Sequence, residues 1–314
     1  MSEAEGNQTA PVSASSEHQE APAQEVHDAP TPKAAVEEPK NGLTEKFSQK
    51  EWDALKAFRA SKTIPEQVPD ALASAYPEKT DAKTTAIQLW GVTIDPSNLL
   101  DARVSVVLMK FLRARNLNVT EAKTMFIATL RWRDEFNVEA ACKEEFPQDV
   151  FGSLGHIYGK DKAGRPVVFN VYGGNQDLKS VFGDVQRFLR WRVAFMEKSI
   201  ELLDFENIDQ MIQVHDYAGV SMTSRDANSK NAASEASSIF SSHYPEFLHK
   251  KYFVNVPSYM TWIFWLFKPL MPSATLAKMS VVGSGTSALG KALLPEIDAK
   301  QLPKRYGGEA DAFN

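Results

Sequence analysis

The segment from Val256 to Met271 (VPSYMTWIFWLFKPLM) constrains this chain more than any other. It is apolar on nearly every face, yet a bilayer-crossing helix needs roughly 20 apolar residues. Pro257 and Pro269 bound the stretch and stop it short of that length. Two destinations remain: a buried core helix, or a helix that touches lipid without crossing it. Tyr259, Trp262, Phe264, Trp265 and Phe267, closed by Lys268, favour the second, because bulky aromatics and a snorkelling cation suit a water–lipid boundary. The segment reads as a movable lid over an apolar pocket.

The rest of the chain narrows the setting. Cys142 is the single cysteine, which excludes an intramolecular disulfide, an all-cysteine metal cage and covalent haem attachment through Cys-x-x-Cys-His. The start has no basic, apolar, small-residue leader, so a cytoplasmic protein is expected. The formal charge of −5 is unevenly placed, because residues 1–44 hold eight acids and two lysines and leave about +1 for the remainder. No strongly basic face announces nucleic acid, and none is expected as a partner.

Residues 1–44 contain no aromatic side chain and read as a disordered, acidic, Pro- and Ala-rich tail. Ser48 and Glu51 then form a capping box ahead of Trp52, Leu55 and Phe58. Further helices are predicted near 65–76 and 80–90. Arg103 to Ala114 carries one apolar stripe, and Thr120 to Arg133 another. Residues 45–150 are therefore expected to be a helical N-terminal lobe. After Gly164 the pattern becomes strand–helix–strand: strands at 167–172, 210–217, 252–256 and 278–282, with helices at about 184–203 and 224–240. Such alternation predicts an α/β lobe over 151–308 with a mainly parallel sheet, followed by a short tail, 309–314.

Three groupings invite chemistry. Gly285, Gly290 and Lys291 match the spacing of a phosphate loop, but Ala292 stands where Ser or Thr must reach magnesium, so a glycine-tolerant turn into a helix is expected instead. On the 210–217 strand, Met211, Gln213, His215 and Tyr217 share one face while Ile212 and Val214 share the other. His215 and Tyr217 would lie roughly 7 Å apart on one wall, so one could ligate a metal and the other tune it, as tyrosinate does for ferric haem in catalases. Ordinary core hydrogen bonds explain both residues more simply, and on sequence physics alone that reading is favoured. Glu246 and Lys278, before the third and fourth strands, could clamp a polar headgroup or form a plain surface ion pair.

The order and spacing of Phe111 to Arg115, Trp132-Arg133, Gly164 to Val168, Tyr244 to Glu246, Asn255 to Pro257, Phe267 to Pro269 and Leu302 to Gly308 resemble the CRAL-TRIO, or Sec-fourteen-like, family. That resemblance implies a helical lobe, an α/β lipid-binding lobe, and a gating helix over a deep pocket for one lipid. It places Glu246 and Lys278 on the phosphatidylinositol headgroup. Within the family, the stretch from Val214 to Tyr217 is most similar to a fungal subgroup of non-classical phosphatidylinositol transfer proteins that also bind haem. That similarity implies non-covalent ferric haem b with Tyr217 as axial iron ligand, His215 beside it, and Arg190, Lys251 and Tyr172 as further contacts.

The combined expectation is a carrier rather than an enzyme. It would dock reversibly on a membrane surface, with the endoplasmic reticulum or microsomal membrane implied, exchange phosphatidylinositol or present it to lipid kinases, and hold haem in the same pocket. A haem-dependent redox enzyme or sensor is the rival from another class, and a pure interaction module is a third.

Overall fold

The computed structural model describes residues 37–59, 68–173, 177–220, 227–257 and 276–313. The expected gating residues Tyr259, Trp262, Phe264, Trp265 and Phe267 lie outside them, as does the acidic tail up to residue 36.

Capping chemistry starts the helices of the first lobe. Ser48 precedes α1 (Gln49–Arg59), its N–H donating to Glu51 Oε2 at 2.8 Å while the Glu51 N–H donates to Ser48 Oγ at 3.3 Å. After α2 (Val68–Ala75), the side chains of Asp101 and Asn118 accept from the first turns of α3 (Ala102–Arg113) and α4 (Val119–Phe136). Helix α4 stops where Asn137 turns left-handed at φ 55°, and the same side chain caps α5 (Val138–Lys143). Leu55, Phe58, Leu72, Val107, Phe111 and Phe126 are sealed from solvent and form the core of this lobe.

The helix predicted over 80–90 is absent. Turns lead instead into a hairpin, β1 (Ile87–Leu89) and β2 (Val92–Ile94). Trp90 and Gly91 link the strands with φ of 54° and 77°, the left-handed pair that a two-residue hairpin turn requires. Tertiary packing outweighs helix propensity here, because the turn drives Trp90 into stacking contact with Phe111 at 5.7 Å and edge contact with Phe247 at 4.7 Å.

The second lobe follows short α6 (Gln148–Phe151). Its five-stranded sheet has the order β3 (Gly155–Lys160), β4 (Pro166–Val171), β5 (Met211–Asp216), β6 (Leu248–Val254), β7 (Met279–Val281). β3 and β4 are antiparallel and the other pairs parallel, so the sheet is mixed but mostly parallel. The crossovers run through α7 (Leu178–Phe182), α8 (Val185–Ile200) and α9 (Ala227–His243). Sequence reasoning missed β3, an edge strand whose residues are all half-buried or exposed and which therefore carries little apolar alternation. The glycine motif behaves as a turn: Gly285, at φ 106°, leads into α10 (Thr286–Leu293).

The two faces of β5 have different fates. Ile212 and Val214 join Val167, Phe169, Tyr252, Val254, Leu289, Leu293 and Tyr306 in a closed core. Asp216, fully buried, anchors the C-terminal block: Oδ2 accepts from Arg305 Nη2 at 2.8 Å and the Tyr306 hydroxyl at 2.9 Å, and Oδ1 from Asn255 Nδ2 at 2.7 Å. The opposite face carries Met211, Gln213 and His215 towards α8, where Gln213 Nε2 lies 3.8 Å from Met196 Sδ.

Two buried charge networks join the lobes. Arg133 of α4 forks onto Glu197 of α8 at 2.6 and 3.0 Å, and the Tyr244 hydroxyl donates to the same carboxylate at 2.6 Å. Lys110 of α3, 1% exposed, donates to the Asp209 carbonyl at 2.6 Å, Asp209 Oδ2 at 2.9 Å and the Glu246 carbonyl at 3.0 Å, above the Phe247 ring at 4.4 Å. Lys110→Met strands the Asp209 carboxylate and removes a donor from both carbonyls, so a stability loss of about 3–5 kcal/mol is expected in urea denaturation. A loss below about 1 kcal/mol would show that solvent or neighbouring groups replace the ammonium.

Candidate functional site

One face of the sheet, the wall that carries the predicted site residues, is built by strand register. Val168, Gln213, Lys251 and Met279 are aligned across β4 to β7, and the next row brings Asn170, His215 and Phe253 together. Tyr172 and Tyr217 extend beyond those rows, held by backbone bonds from Tyr172 N to the Asp216 carbonyl at 2.9 Å and from Tyr217 N to the Val254 carbonyl at 3.0 Å. Gly173 permits this approach of strand ends, since a Cβ there would lie 1.4 Å from the Ala218 carbonyl oxygen.

Four rings meet on the wall. Tyr172 lies 5.4 Å from Tyr217 and 5.7 Å from His215, while Phe253 lies 5.6 Å from His215 and 6.4 Å from Tyr217. The His215 ring is 3.4 Å from the Tyr172 hydroxyl through Nδ1 and 3.3 Å from Gln213 Oε1 through Nε2. Asn170 Nδ2 also lies 3.5 Å from Nε2, and the Tyr172 hydroxyl can donate to Nδ1 of a neutral imidazole. Burial, then the positive charges of Lys251 and Arg192, drives the His215 pKa well below the ordinary histidine value. His215 is therefore neutral at physiological pH.

Arg190 does not reach this cluster. Its Nε pairs with Glu144 at 2.5 Å and Nη1 donates to the Phe136 carbonyl at 3.2 Å, tying α8 to the helical lobe. Arg192 is the cation on the wall. Two residues along a helix turn the side chain by roughly 200°, so Arg190 and Arg192 leave α8 on opposite sides. Arg192 is 4% exposed, hydrogen-bonds to Tyr172, and lies 4.6 Å above the Phe240 ring. Its Nη1 has no partner among the described residues, and Asn170 Oδ1 is likewise unpaired. Only the strand-face pattern was available from sequence, and nothing in it singled out one arginine of α8 over its neighbour.

Glu246 and Lys278 occupy the other end of the same strands. Lys278 Nζ lies 2.8 Å from Glu246 Oε2, each side chain 30% exposed. Glu246 sits in the left-handed region at φ 55°, and its carbonyl accepts from Lys110 and Gln210, which fixes the turn before β6. Because both residues precede their strands whereas Tyr172 and Tyr217 follow theirs, the ion pair and the phenols are separated by roughly 15 Å of sheet. A separate cluster of Asp161, His249 and Glu296 brings potential ligand atoms within 4.8 Å of one another, but Arg165 and Lys250 already neutralise its carboxylates.

The charge on the wall is unbalanced. Among the described residues no carboxylate pairs with Arg192 or Lys251. The buried acids Glu197 and Asp216 are held by Arg133 and Arg305. Burial, with Arg192 adding repulsion, lowers the Lys251 pKa to about 7. Phenol oxygens, an imidazole and two cations without a carboxylate partner on an apolar face suit an anionic, mostly apolar ligand.

Lys251 also makes the unliganded protein pH-sensitive. Between about pH 7 and the ordinary lysine value, the unfolded chain holds a proton that the folded chain has released, so stability rises with pH across that window. Lys251→Met should raise the melting temperature of ligand-free protein most at pH 6, on the order of 5 °C, with the gain shrinking towards pH 9. Thermal denaturation at both values checks it, and a gain that does not change with pH would disprove the burial of an ionisable ammonium here.

Comparison with known proteins agrees with this architecture. The CRAL/TRIO domain matches residues 151–308, and the CRAL/TRIO N-terminal domain matches residues 45–128. The "Phosphatidylinositol transfer protein sfh5" of Botryotinia fuckeliana is 38% identical over 237 residues, covering 71% of this chain and 53% of that protein. Its Sclerotinia sclerotiorum counterpart is 39% identical over 239 residues, covering 71% and 57%. The chain thus spans little more than half the length of these relatives. A solved structure described as "Crystal structure of Sfh5" superposes with a TM-score of 0.68 at 29% identity, covering 86% of this chain and 91% of that one. The chain, a helical N-terminal region followed by a mixed, mostly parallel five-stranded sheet, belongs to the CRAL/TRIO family.

Proposed function

We propose that this protein is a phosphatidylinositol carrier that also binds haem b non-covalently, meeting membranes peripherally as it loads and unloads. The observation that carries the reading is the spread of polar groups along the strands: a mutually neutralised Glu246–Lys278 pair before β6 and β7, the phenols Tyr172 and Tyr217 after β4 and β5, and Arg192 and Lys251 with no carboxylate partner among the described residues. The relatives named as phosphatidylinositol transfer proteins support the lipid half. No helix among the described residues is long and apolar enough to cross a membrane, which accords with peripheral contact.

In this reading the inositol phosphate opens the Glu246–Lys278 pair, Lys278 meeting the phosphate and Glu246 accepting from inositol hydroxyls, while the acyl chains lie along the apolar rows. Transfer makes and breaks no covalent bond. Haem would be held by Tyr217 at the iron, with His215 and Tyr172 beside it and Arg192 and Lys251 opposite its carboxylates. Its ferric ion would supply a hard Lewis acid matched to a phenolate oxygen. In this reading Arg192 would serve in place of Arg190, which pairs with Glu144 instead. The gate expected from Tyr259 to Phe267 would close over either cargo, exposing Trp262 and Trp265 to lipid when open.

Two outcomes follow. Protein purified without added ligand, or offered haem, should show a Soret band with ferric tyrosinate features that Tyr217→Phe removes or shifts. A colourless protein even after haem is offered would eliminate the haem half. Glu246→Ala combined with Lys278→Ala should slow phosphatidylinositol transfer between vesicles by at least about 10-fold, because each charge-assisted bond lost costs roughly 1.5–3 kcal/mol. Unchanged transfer would remove the headgroup assignment.

A further inference from the structure

Arg192 presents a problem that the fold does not solve. A guanidinium cannot shed its proton in a protein, so burying one without a counter-anion is costly. At 4% exposure Arg192 receives one phenol and two aromatic faces, Phe240 at 4.6 Å and Phe195 at 5.9 Å, and its Nη1 is left without a partner among the described residues. Lys251, a second cation close enough to repel it, has its Nζ 5.2 Å from the Phe253 ring. A bound anion would supply the compensating charge.

The surroundings narrow what that molecule is. A small hydrated anion would give up its water and regain little on a wall of aromatic rings and Met196. A carboxylate joined to a long apolar body loses much less, and its planar geometry matches the guanidinium fork, with the Tyr172 hydroxyl at hand as a further polar partner. We propose that Arg192, Lys251 and Tyr172 form a carboxylate subsite that takes free long-chain fatty acids, which makes them a third class of cargo. The proposal rests on the wall being a ligand-binding face, as the proposed function has it, and holds whether or not haem or phosphatidylinositol also occupies that face. The carboxylates of haem share this chemistry, so the test must separate the two sources.

The experiment is titration calorimetry on the full-length protein stripped of ligand, with oleate and oleyl alcohol compared. The two share an apolar body, and only oleate is an anion. Oleate should bind one per chain and at least about 10-fold more tightly than the alcohol, the effect of one charge-assisted contact. Arg192→Met and Lys251→Met should each collapse that preference, and haem should displace oleate. Because the wild-type comparison needs no variant, it decides the matter even where a variant fails to fold. Equal binding of acid and alcohol, or no binding of oleate, overturns the proposal. Protein that takes up haem but never oleate also overturns it, assigning the cations to haem alone. Phosphatidylinositol transfer measured on the same preparation reports separately on the lipid-carrier reading.

Discussion

The strict alternation along β5 is the constraint on which the rest depends. One residue of slip would send Ile212 and Val214 to the ligand side and His215 into the aliphatic core. Two anchors hold the register. Ile212 and Val214 are locked among the branched and aromatic residues of β4, β6 and α10. Asp216 is locked by Arg305, Tyr306 and Asn255, all of which reach it from later in the chain. The central residue of the His-Asp-Tyr sequence is thus a fastener for the closed side, and its fixed position lets its two neighbours face the other way.

Buried charge is used in two distinct manners. Where Lys110 meets Asp209 and the Glu246 carbonyl, or Arg133 meets Glu197 and Tyr244, each polar group finds a partner inside the protein, and the result is a rigid joint between helices and sheet. On the wall, Arg192 and Asn170 keep unpaired atoms. A natural core tolerates few such groups. Unpaired buried atoms also occur away from the wall, at Arg59, Trp90, Thr129 and His243, so what sets the wall apart is that one of its unpaired groups is a buried guanidinium with no carboxylate beside it among the described residues.

Most of the architecture was legible in the sequence, because capping residues and apolar periodicity are local signals. Ser48 with Glu51, the stripe of α3, and the alternation of β5 all act within a few residues of themselves. What escaped depends on distant partners. The 80–90 region became a hairpin because Trp90 finds Phe111 and Phe247. β3 forms because β4 offers it an edge. The choice between Arg190 and Arg192 turns on where α8 lies over the sheet, since Glu144 and Phe136 draw one outward while Tyr172 receives the other. Helical spacing shows that the two must diverge, but only the packed structure tells which of them faces inward.

The separation of the ion pair from the phenols carries a consequence for how loaded molecules are counted. On the proposed reading the two ligands share one pocket, so a molecule carrying one is lost to the other. Linkage makes that exclusion reciprocal: whatever factor haem imposes on lipid affinity, lipid imposes on haem affinity. The fraction of protein in each form then follows the ratio of the two ligands, each weighted by its own affinity, once both are abundant enough to saturate the face. A carrier built this way reports the balance between two pools through the identity of its cargo, without a second binding site or a change of fold.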